Sequence, residues 1–408
     1  MFKKIIDSYI FVIAIFLFLL SAIVGLLIRL NFIFPIENIS YKNLLQTHSH
    51  VAFLGWGYLA VIGSILIVFI PKNKQLHKIY RITLLTIIIS VFLMLFSFSL
   101  FGYKIFSIVL LSVFGISSYI LSFRVLKDLK GTNTSSDLIR YGIYYYLLSS
   151  LATWFLVFVI IKFGKTALYY NTVYFYLHFL YNGFFVFSLF GLLFRVIENK
   201  KVMFSEKYKK LFFIYLNVAC IPAYVLSILW SNGSPIFYVV GFAAAFLQFL
   251  SLIFLFKLLQ KVFSKLKWNF ISKVLLIFLF IAYTFKIVSQ ILSSFPYIVE
   301  KSMALKNFFI IGYLHLFTLA FMSVFIFLIL LQIKKLTIDN LTVKIGLFAF
   351  LFGVILTELL LFGQGFLFLS KLKPVLIFNE LLFICSSLLV FGIALLTLDQ
   401  FIKNQKVL

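Results

Sequence analysis

Four of the five histidines of this chain lie inside apolar segments, where polar side chains are rare. His48 and His50 occur in LLQTHSHVAFLGWG, His178 in YFYLHFLYNGFF and His315 in IIGYLHLFTLAF. Polar groups at membrane depth are costly and mark functional sites, and a neutral imidazole is the commonest protein ligand for metals. These four residues are therefore the candidate cofactor ligands. His77, in the lysine-rich stretch PKNKQLHK, is assigned no role.

The spacing of these histidines indicates an internal repeat. His178 follows His50 by 128 residues, and His315 follows His178 by 137 residues. A small residue stands five positions after each of the three, where it would let a neighbouring helix or a flat ligand approach closely. These small residues are Gly55, Gly183 and Ala320.

The pair His48 and His50 is predicted to serve two different sites. Two residues apart on an α-helix, they are separated by about 200° around its axis. One helix could thus present a histidine on each of two flanks. The alternative is that all four histidines are unrelated side chains, each hydrogen-bonded within a helix bundle.

The elements that must position these residues are predicted transmembrane helices. Apolar residues make up 64% of the 408 residues and charged residues only 12%, which excludes a soluble globular protein. We expect an all-α, polytopic membrane protein, a single transmembrane domain over 1–408 with pseudo-repeats of four helices at about 1–135, 136–270 and 271–408. The twelve predicted helices span 8–30, 44–70, 80–102, 105–126, 141–163, 172–196, 211–230, 236–258, 274–294, 307–333, 343–364 and 375–399.

The distribution of basic residues predicts the topology. Both termini and the even-numbered loops carry 26 of the 36 Lys and Arg residues, so both termini are expected in the cytoplasm. The net charge of +25 lies in short loops and does not indicate nucleic-acid binding; the expected partner is the lipid bilayer. The predicted location is a bacterial inner (plasma) membrane. Cys220 and Cys385 stand alone and predict neither a disulfide nor a metal site.

A few other polar residues fall near the predicted depth of the histidines. Glu358 could orient a ligand histidine or carry protons, and Arg29 could meet haem propionates. Asn182 and Tyr181 lie within four residues of His178 and are candidates to support it. Snorkelling at the membrane surface is the alternative for Arg29.

THSHVAFLGWGYLAVIG resembles the His-x-His segment of the cbb-type oxidases, and the chain resembles the catalytic subunit of the haem-copper oxidase superfamily. That family has twelve helices in three arcs of four, with metal-ligating histidines on helices 2, 6 and 10. NnrS-type membrane proteins are similar in length, helix number and histidine placement. The architecture is similar over most of the chain, whereas the sequence motif is similar only over a short stretch.

Two departures limit what the resemblance implies. The oxidases carry the His-x-His pair on helix 10, whereas here it lies on predicted helix 2 and helix 10 has only His315. Predicted helix 7, LFFIYLNVACIPAYVLSILW, lacks the two copper-ligating histidines of the oxidases. A complete three-histidine copper site is therefore not expected.

The resemblance implies a b-type haem and a redox or gas-ligand (O₂ or NO) role. One histidine of helix 2 would clamp the haem together with His315, and the other would serve a second haem or metal together with His178. His50, His178 and His315 could alternatively converge on copper or another metal. An oxidoreductase activity is consistent with this, but no catalytic residue is assigned. Quinol or a partner redox subunit would supply electrons, because no CxxCH haem-attachment motif is present.

Two alternatives remain open at this point. An ion-coupled secondary transporter would use the predicted intramembrane residues Lys286 and Glu358. A non-haem metal protein would use His50, His178 and His315 as ligands.

Overall fold

The computed structural model describes residues 9–37, 40–202 and 205–405. Within these residues all regular structure is helical and there is no strand. The predicted start of the first helix at residue 8 and the two chain ends lie outside the described residues. The principal helices are α1 (Ile10–Leu30), α2 (Tyr41–Phe69), α3 (Lys78–Phe101), α4 (Ile105–Asp128), α5 (Thr134–Phe163), α6 (Ala167–Asn199), α7 (Glu206–Cys220), α8 (Pro235–Phe263), α9 (Phe270–Leu292), α10 (Lys306–Gln332), α11 (Leu341–Leu369) and α12 (Phe378–Gln405).

Eleven of these helices, all except α7, are long and apolar enough to cross a membrane within the part of the chain described here. The chain is thus an all-helical, multi-pass integral membrane protein, as its composition predicts. The seventh predicted span, 211–230, is interrupted: α7 ends at Cys220 and two 3-10 turns follow, Pro222–Ser227 and Leu229–Ser231. Pro222 lacks an N–H and cannot continue the α-helical hydrogen-bond ladder, which explains the break.

Side-chain caps fix several helix starts. Ser40 accepts a hydrogen bond from the Asn43 N–H at the start of α2, and Asn269 accepts one from the Ser272 N–H at the start of α9. Such caps satisfy N–H groups that have no partner within the helix. Gly102, with φ of 64°, ends α3 in a backbone conformation that favours glycine.

The helices form two compact units. The first comprises Met1–Leu129 and Ile329–Leu408 and contains α1–α4, α11 and α12. Within it α11 packs against α12, α3 against α4, and α1 against both α2 and α12. The second comprises Lys130–Leu328 and contains α5–α9 and most of α10. Within it α5 packs against α6, and α7 packs against α8.

Helices α2, α6 and α10 are the most enclosed. In their most apolar stretches 78%, 94% and 78% of the residues are buried, against at most 44% in the other spanning helices of the described chain. These three are the helices that carry the four candidate histidines. A residue on them has protein neighbours on most sides, so its polar groups must find partners in the protein or in a ligand.

Buried carboxylates tie the ends of several helices together. Asp128 at the end of α4 accepts hydrogen bonds from Lys74 Nζ at 2.8 Å, Arg124 Nε at 2.7 Å and Tyr80 Oη at 3.0 Å. Asp399 on α12 accepts from Asn340 Nδ2 at 2.9 Å, ahead of α11. Each carboxylate is almost fully buried and compensated by donors from another segment of the same unit.

Candidate functional site

Helices α2, α6 and α10 share a backbone feature directly after their histidines. Each one changes there from α-helical to π-helical hydrogen bonding: Val51–Tyr58 after His50, Phe179–Phe185 after His178, and Leu316–Ser323 after His315. A π-helical stretch widens the helix, is rare, and occurs frequently at functional sites. The three histidines therefore occupy the same local position, at the last α-helical residue before the wider stretch.

His48 is anchored by helix α1. Its Nδ1 lies 2.8 Å from the Ser21 main-chain oxygen, so Nδ1–H donates to that carbonyl. The Ser21 hydroxyl donates to the His48 main-chain oxygen at 3.0 Å, so two hydrogen bonds join these residues. Among the described residues, Nε2 has no hydrogen-bond partner. An imidazole held through Nδ1–H with a free Nε2 lone pair is the arrangement that metal-ligating histidines adopt.

Gly25 makes room for this ring. It lies one helical turn after Ser21, and a Cβ added to it would stand 2.8 Å from His48 Cε1 and 3.0 Å from Nδ1. Any side chain at this position would therefore push against the imidazole. The Nε2 atom lies farther away, at 3.7 Å from the same point. Ser21 and Gly25 together set both the tautomer and the orientation of His48.

Arg29 lies near both this histidine and Glu358. Arg29, in the last turn of α1, interacts electrostatically with His48 and with Glu358 on α11. Both carboxyl oxygens of Glu358 are buried without a hydrogen-bond partner among the described residues. The first unit thus gathers His48, Arg29 and Glu358, three of the residues selected from the sequence.

His50 faces away from this group, toward α3. Its Nδ1–H donates to the Gln46 main-chain oxygen at 2.7 Å, and the Tyr103 hydroxyl donates to its Nε2 at 2.9 Å. Its ring also stacks on Phe98, with ring centroids 4.4 Å apart. Protein groups therefore occupy both ring nitrogens of His50. The two histidines of α2 lie against different neighbouring helices, as their spacing predicts.

His178 is buried at the point where α7 breaks. Its Nε2–H donates to the Cys220 main-chain oxygen at 2.8 Å, and its Nδ1 accepts from Asn182 Nδ2 at 3.3 Å. The carbonyl of Cys220 is free for this bond because α7 stops there. Both ring nitrogens of His178 therefore have hydrogen-bond partners in the protein, and one of these partners is Asn182, one helical turn later.

A buried lysine lies near His178. Lys286 on α9 is 1% exposed, and its Nζ donates to Gln248 Oε1 on α8 at 3.0 Å. The same ammonium lies 5.5 Å from the ring centroid of Tyr283 and interacts electrostatically with His178. Among the described residues Lys286 forms no ion pair.

Tyr181 and His315 complete the set selected from the sequence. The ring of Tyr181 stacks on Phe317 of α10 with ring centroids 4.8 Å apart, two residues beyond His315. His315 itself is half-buried. Tyr181 thus links the π-helical stretches of α6 and α10 within the second unit.

The partners of the two α2 histidines are not indicated by the sequence. Ser21, Gly25 and Tyr103 are a serine, a glycine and a tyrosine of ordinary type, and only tertiary packing brings them to α2. In residues 9–37, 40–202 and 205–405, no three His, Cys, Asp or Glu side chains form a group that could hold a metal ion.

Comparison with known proteins gives no assignment. No known family model matches the chain, and no curated protein matches it significantly. The resemblance to the haem-copper oxidases therefore stays a prediction from the sequence.

Proposed function

We propose that this protein is a haem-binding membrane protein with a role in electron transfer or in binding a diatomic gas, O₂ or NO. The observation that carries the proposal is the hydrogen bonding of the two ring nitrogens of His48. Its Nδ1–H is fixed by the Ser21 carbonyl, and its Nε2 lone pair has no partner among the described residues. Among His48, His50 and His178, only His48 has a ring nitrogen without a described hydrogen-bond partner, and this nitrogen can bind iron.

The neighbouring residues fit a b-type haem. The Ser21 carbonyl accepts a hydrogen bond from Nδ1–H, which makes Nε2 of the imidazole a stronger metal ligand. Arg29 offers a guanidinium close to His48, and this group can pair with a carboxylate such as a haem propionate. The bare backbone at Gly25 leaves room for the ring in the position that the Ser21 carbonyl fixes. When bound, the haem supplies one-electron chemistry and an iron that can take a gas ligand.

A threefold architecture of the haem-copper type belongs to the same proposal. The π-helical stretches that follow His50, His178 and His315 support three pseudo-repeats of four helices. The basic loops support cytoplasmic termini and a bacterial inner-membrane location. Quinol or a partner redox subunit is the proposed electron source. The bonded nitrogens of His50 and His178 support structural roles for these two residues in the arrangement described here.

A visible spectrum of the purified protein tests the proposal. Wild type expressed with ample haem should show a Soret band, and His48→Ala should lose it together with bound haem. His77→Ala, in an exposed loop, should keep both. In His48→Gly, added imidazole should restore the band, which separates a lost ligand from a misfolded protein. A colourless wild type, or a His48→Ala variant with the wild-type spectrum, would refute the proposal.

Ion-coupled transport is the second candidate, and Lys286 is the observation that favours it. A buried ammonium whose described partners are an amide and an aromatic ring is costly in a membrane, and such residues mark ion or substrate pathways. Proteoliposomes made with wild type and with Lys286→Met would test this. Ion flux in a haem-free wild type that is lost in Lys286→Met would favour transport over the haem proposal.

A further inference from the structure

An open groove lies between α8 and α9 in the second unit. Its volume is about 340 Å³, and seven residues line it: Leu252, Ile253, Phe256, Lys257, Gln260, Phe280 and Thr284. The rings of Phe256 and Phe280 meet across it with centroids 6.0 Å apart. The Thr284 hydroxyl donates to the Phe280 main-chain oxygen at 2.9 Å and so presents little polarity to the groove.

The groove is apolar at one end and polar at the other. Leu252 and Ile253 lie deeper along α8, whereas Lys257 and Gln260 lie near the end of α8 at Phe263. Six residues of helix place Lys257 about 9 Å from that end. An amphiphile with an apolar chain and a polar head matches this order.

The polar end of the groove has an excess of positive charge. Five lysines lie between residues 257 and 273, and the sequence contains no Asp or Glu from residue 207 to residue 299. The five lysines are Lys257, Lys261, Lys265, Lys267 and Lys273.

The lysines nearest the groove contact aromatic rings and not carboxylates. Lys257 Nζ lies 5.9 Å from the ring centroid of Phe254, and Lys261 Nζ lies 5.3 Å from that of Tyr208. Neither lysine forms an ion pair with a described residue. Both ammonium groups are therefore available to an anion from outside the described chain.

We propose that this groove binds an anionic phospholipid. One acyl chain lies along Leu252, Phe256 and Phe280, and the phosphate lies at Lys257 and Lys261. Lysines near a membrane surface attract anionic headgroups, and the groove adds a fixed position for the chain. A zwitterionic lipid with the same chains occupies the groove more weakly, because its net charge does not balance the lysines.

Native mass spectrometry of the full chain, with dioleoyl phosphatidylglycerol and dioleoyl phosphatidylcholine as probes, tests this site. Wild type should bind phosphatidylglycerol about tenfold more tightly than phosphatidylcholine. The double variant Lys257→Ala/Lys261→Ala should bind the two lipids alike. Thr284→Trp, which fills the groove, should weaken both. Inorganic phosphate should not displace the lipid, because it lacks the acyl chain.

Lys72→Ala/Lys78→Ala is the matched control. It removes the same charge from exposed positions of the first unit and should keep the preference for phosphatidylglycerol. Equal affinity of wild type for both lipids would overturn the proposal. A preference that survives in Lys257→Ala/Lys261→Ala, or is lost equally in the control, would overturn it as well. Displacement of the lipid by inorganic phosphate would also overturn the proposal, because it would indicate a site for the anion alone.

Discussion

The Nδ1 atom of His48 lies 2.8 Å from the main-chain oxygen of Ser21, so α1 determines which nitrogen of a histidine on α2 carries the proton. A backbone carbonyl can only accept, and this removes the ambiguity between the two tautomers. The contact is closed by the Ser21 hydroxyl, which donates to the His48 main-chain oxygen. The orientation of the ring therefore depends on α1 as much as on α2.

Gly25→Ala should weaken haem binding without removing any ligand. The new Cβ would lie 2.8 Å from His48 Cε1, closer than carbon atoms approach, so the ring must turn away from the Ser21 carbonyl. Loss of such a supporting contact typically costs 10–100-fold in metal affinity, and we expect about tenfold here. Titration of the haem-depleted protein with haemin, followed at the Soret band, measures the effect.

Gly363→Ala is the control for that experiment. Gly363 lies in α11, and a Cβ added there meets no atom within 4 Å. The Gly363→Ala variant should therefore bind haem with the affinity of wild type. Wild-type affinity in Gly25→Ala would show that the haem does not depend on the position of His48.

Asp128→Ala should destabilise the protein far more than Asp137→Ala. Asp128 is 1% exposed and its removal leaves Lys74 Nζ, Arg124 Nε and Tyr80 Oη without their shared acceptor. Breaking a buried ion pair by removing one partner costs about 3–5 kcal/mol. The Asp137 and Arg140 side chains are 36% and 25% exposed, and a pair in such contact with solvent contributes about 0–1 kcal/mol.

Unfolding in detergent with increasing SDS, followed by circular dichroism, compares the two aspartate variants. Equal losses of stability would mean that the Asp128 cluster is hydrated and contributes no more than a surface pair.

The sequence predicts some relationships in this molecule and not others. The opposite directions of His48 and His50 follow from helix geometry alone, and the structure places His48 against α1 and His50 against Phe98 of α3. The contact between His48 and Ser21 joins residues 27 positions apart, and that between His50 and Tyr103 joins residues 53 apart. Neither residue type nor spacing indicates such tertiary pairs.

Backbone irregularities are the other part that the apolar pattern does not show. The three π-helical stretches have the same composition as ordinary transmembrane helix, so hydropathy cannot locate them. The interruption of the seventh span is different, because Pro222 lies within the predicted range 211–230 and proline breaks a helix interior. The carbonyl that this break leaves free is the one bound by His178, so the error in the predicted helix lies at the candidate site itself.

Lys209→Met and Lys286→Met should differ in their effect on stability, although both lysines are 1% exposed. Lys209 Nζ lies 2.8 Å from Glu198 Oε1, and its removal leaves a partly buried carboxylate without its ammonium. A hydrogen bond to a charged group contributes about 1.5–3 kcal/mol, so Lys209→Met should lower the stability by about 2 kcal/mol.

Lys286→Met removes an ammonium whose described hydrogen bond goes to the neutral Gln248 amide. Exchanging buried charge for a well-packed apolar side chain is often neutral or stabilising, so we expect a change within about 1 kcal/mol. SDS unfolding measures both variants. If Lys286→Met loses as much stability as Lys209→Met, the lysine is a structural element of the second unit. If it is as stable as wild type, the unit keeps a costly buried cation that its fold does not require, and a role in ion or substrate passage becomes the stronger explanation.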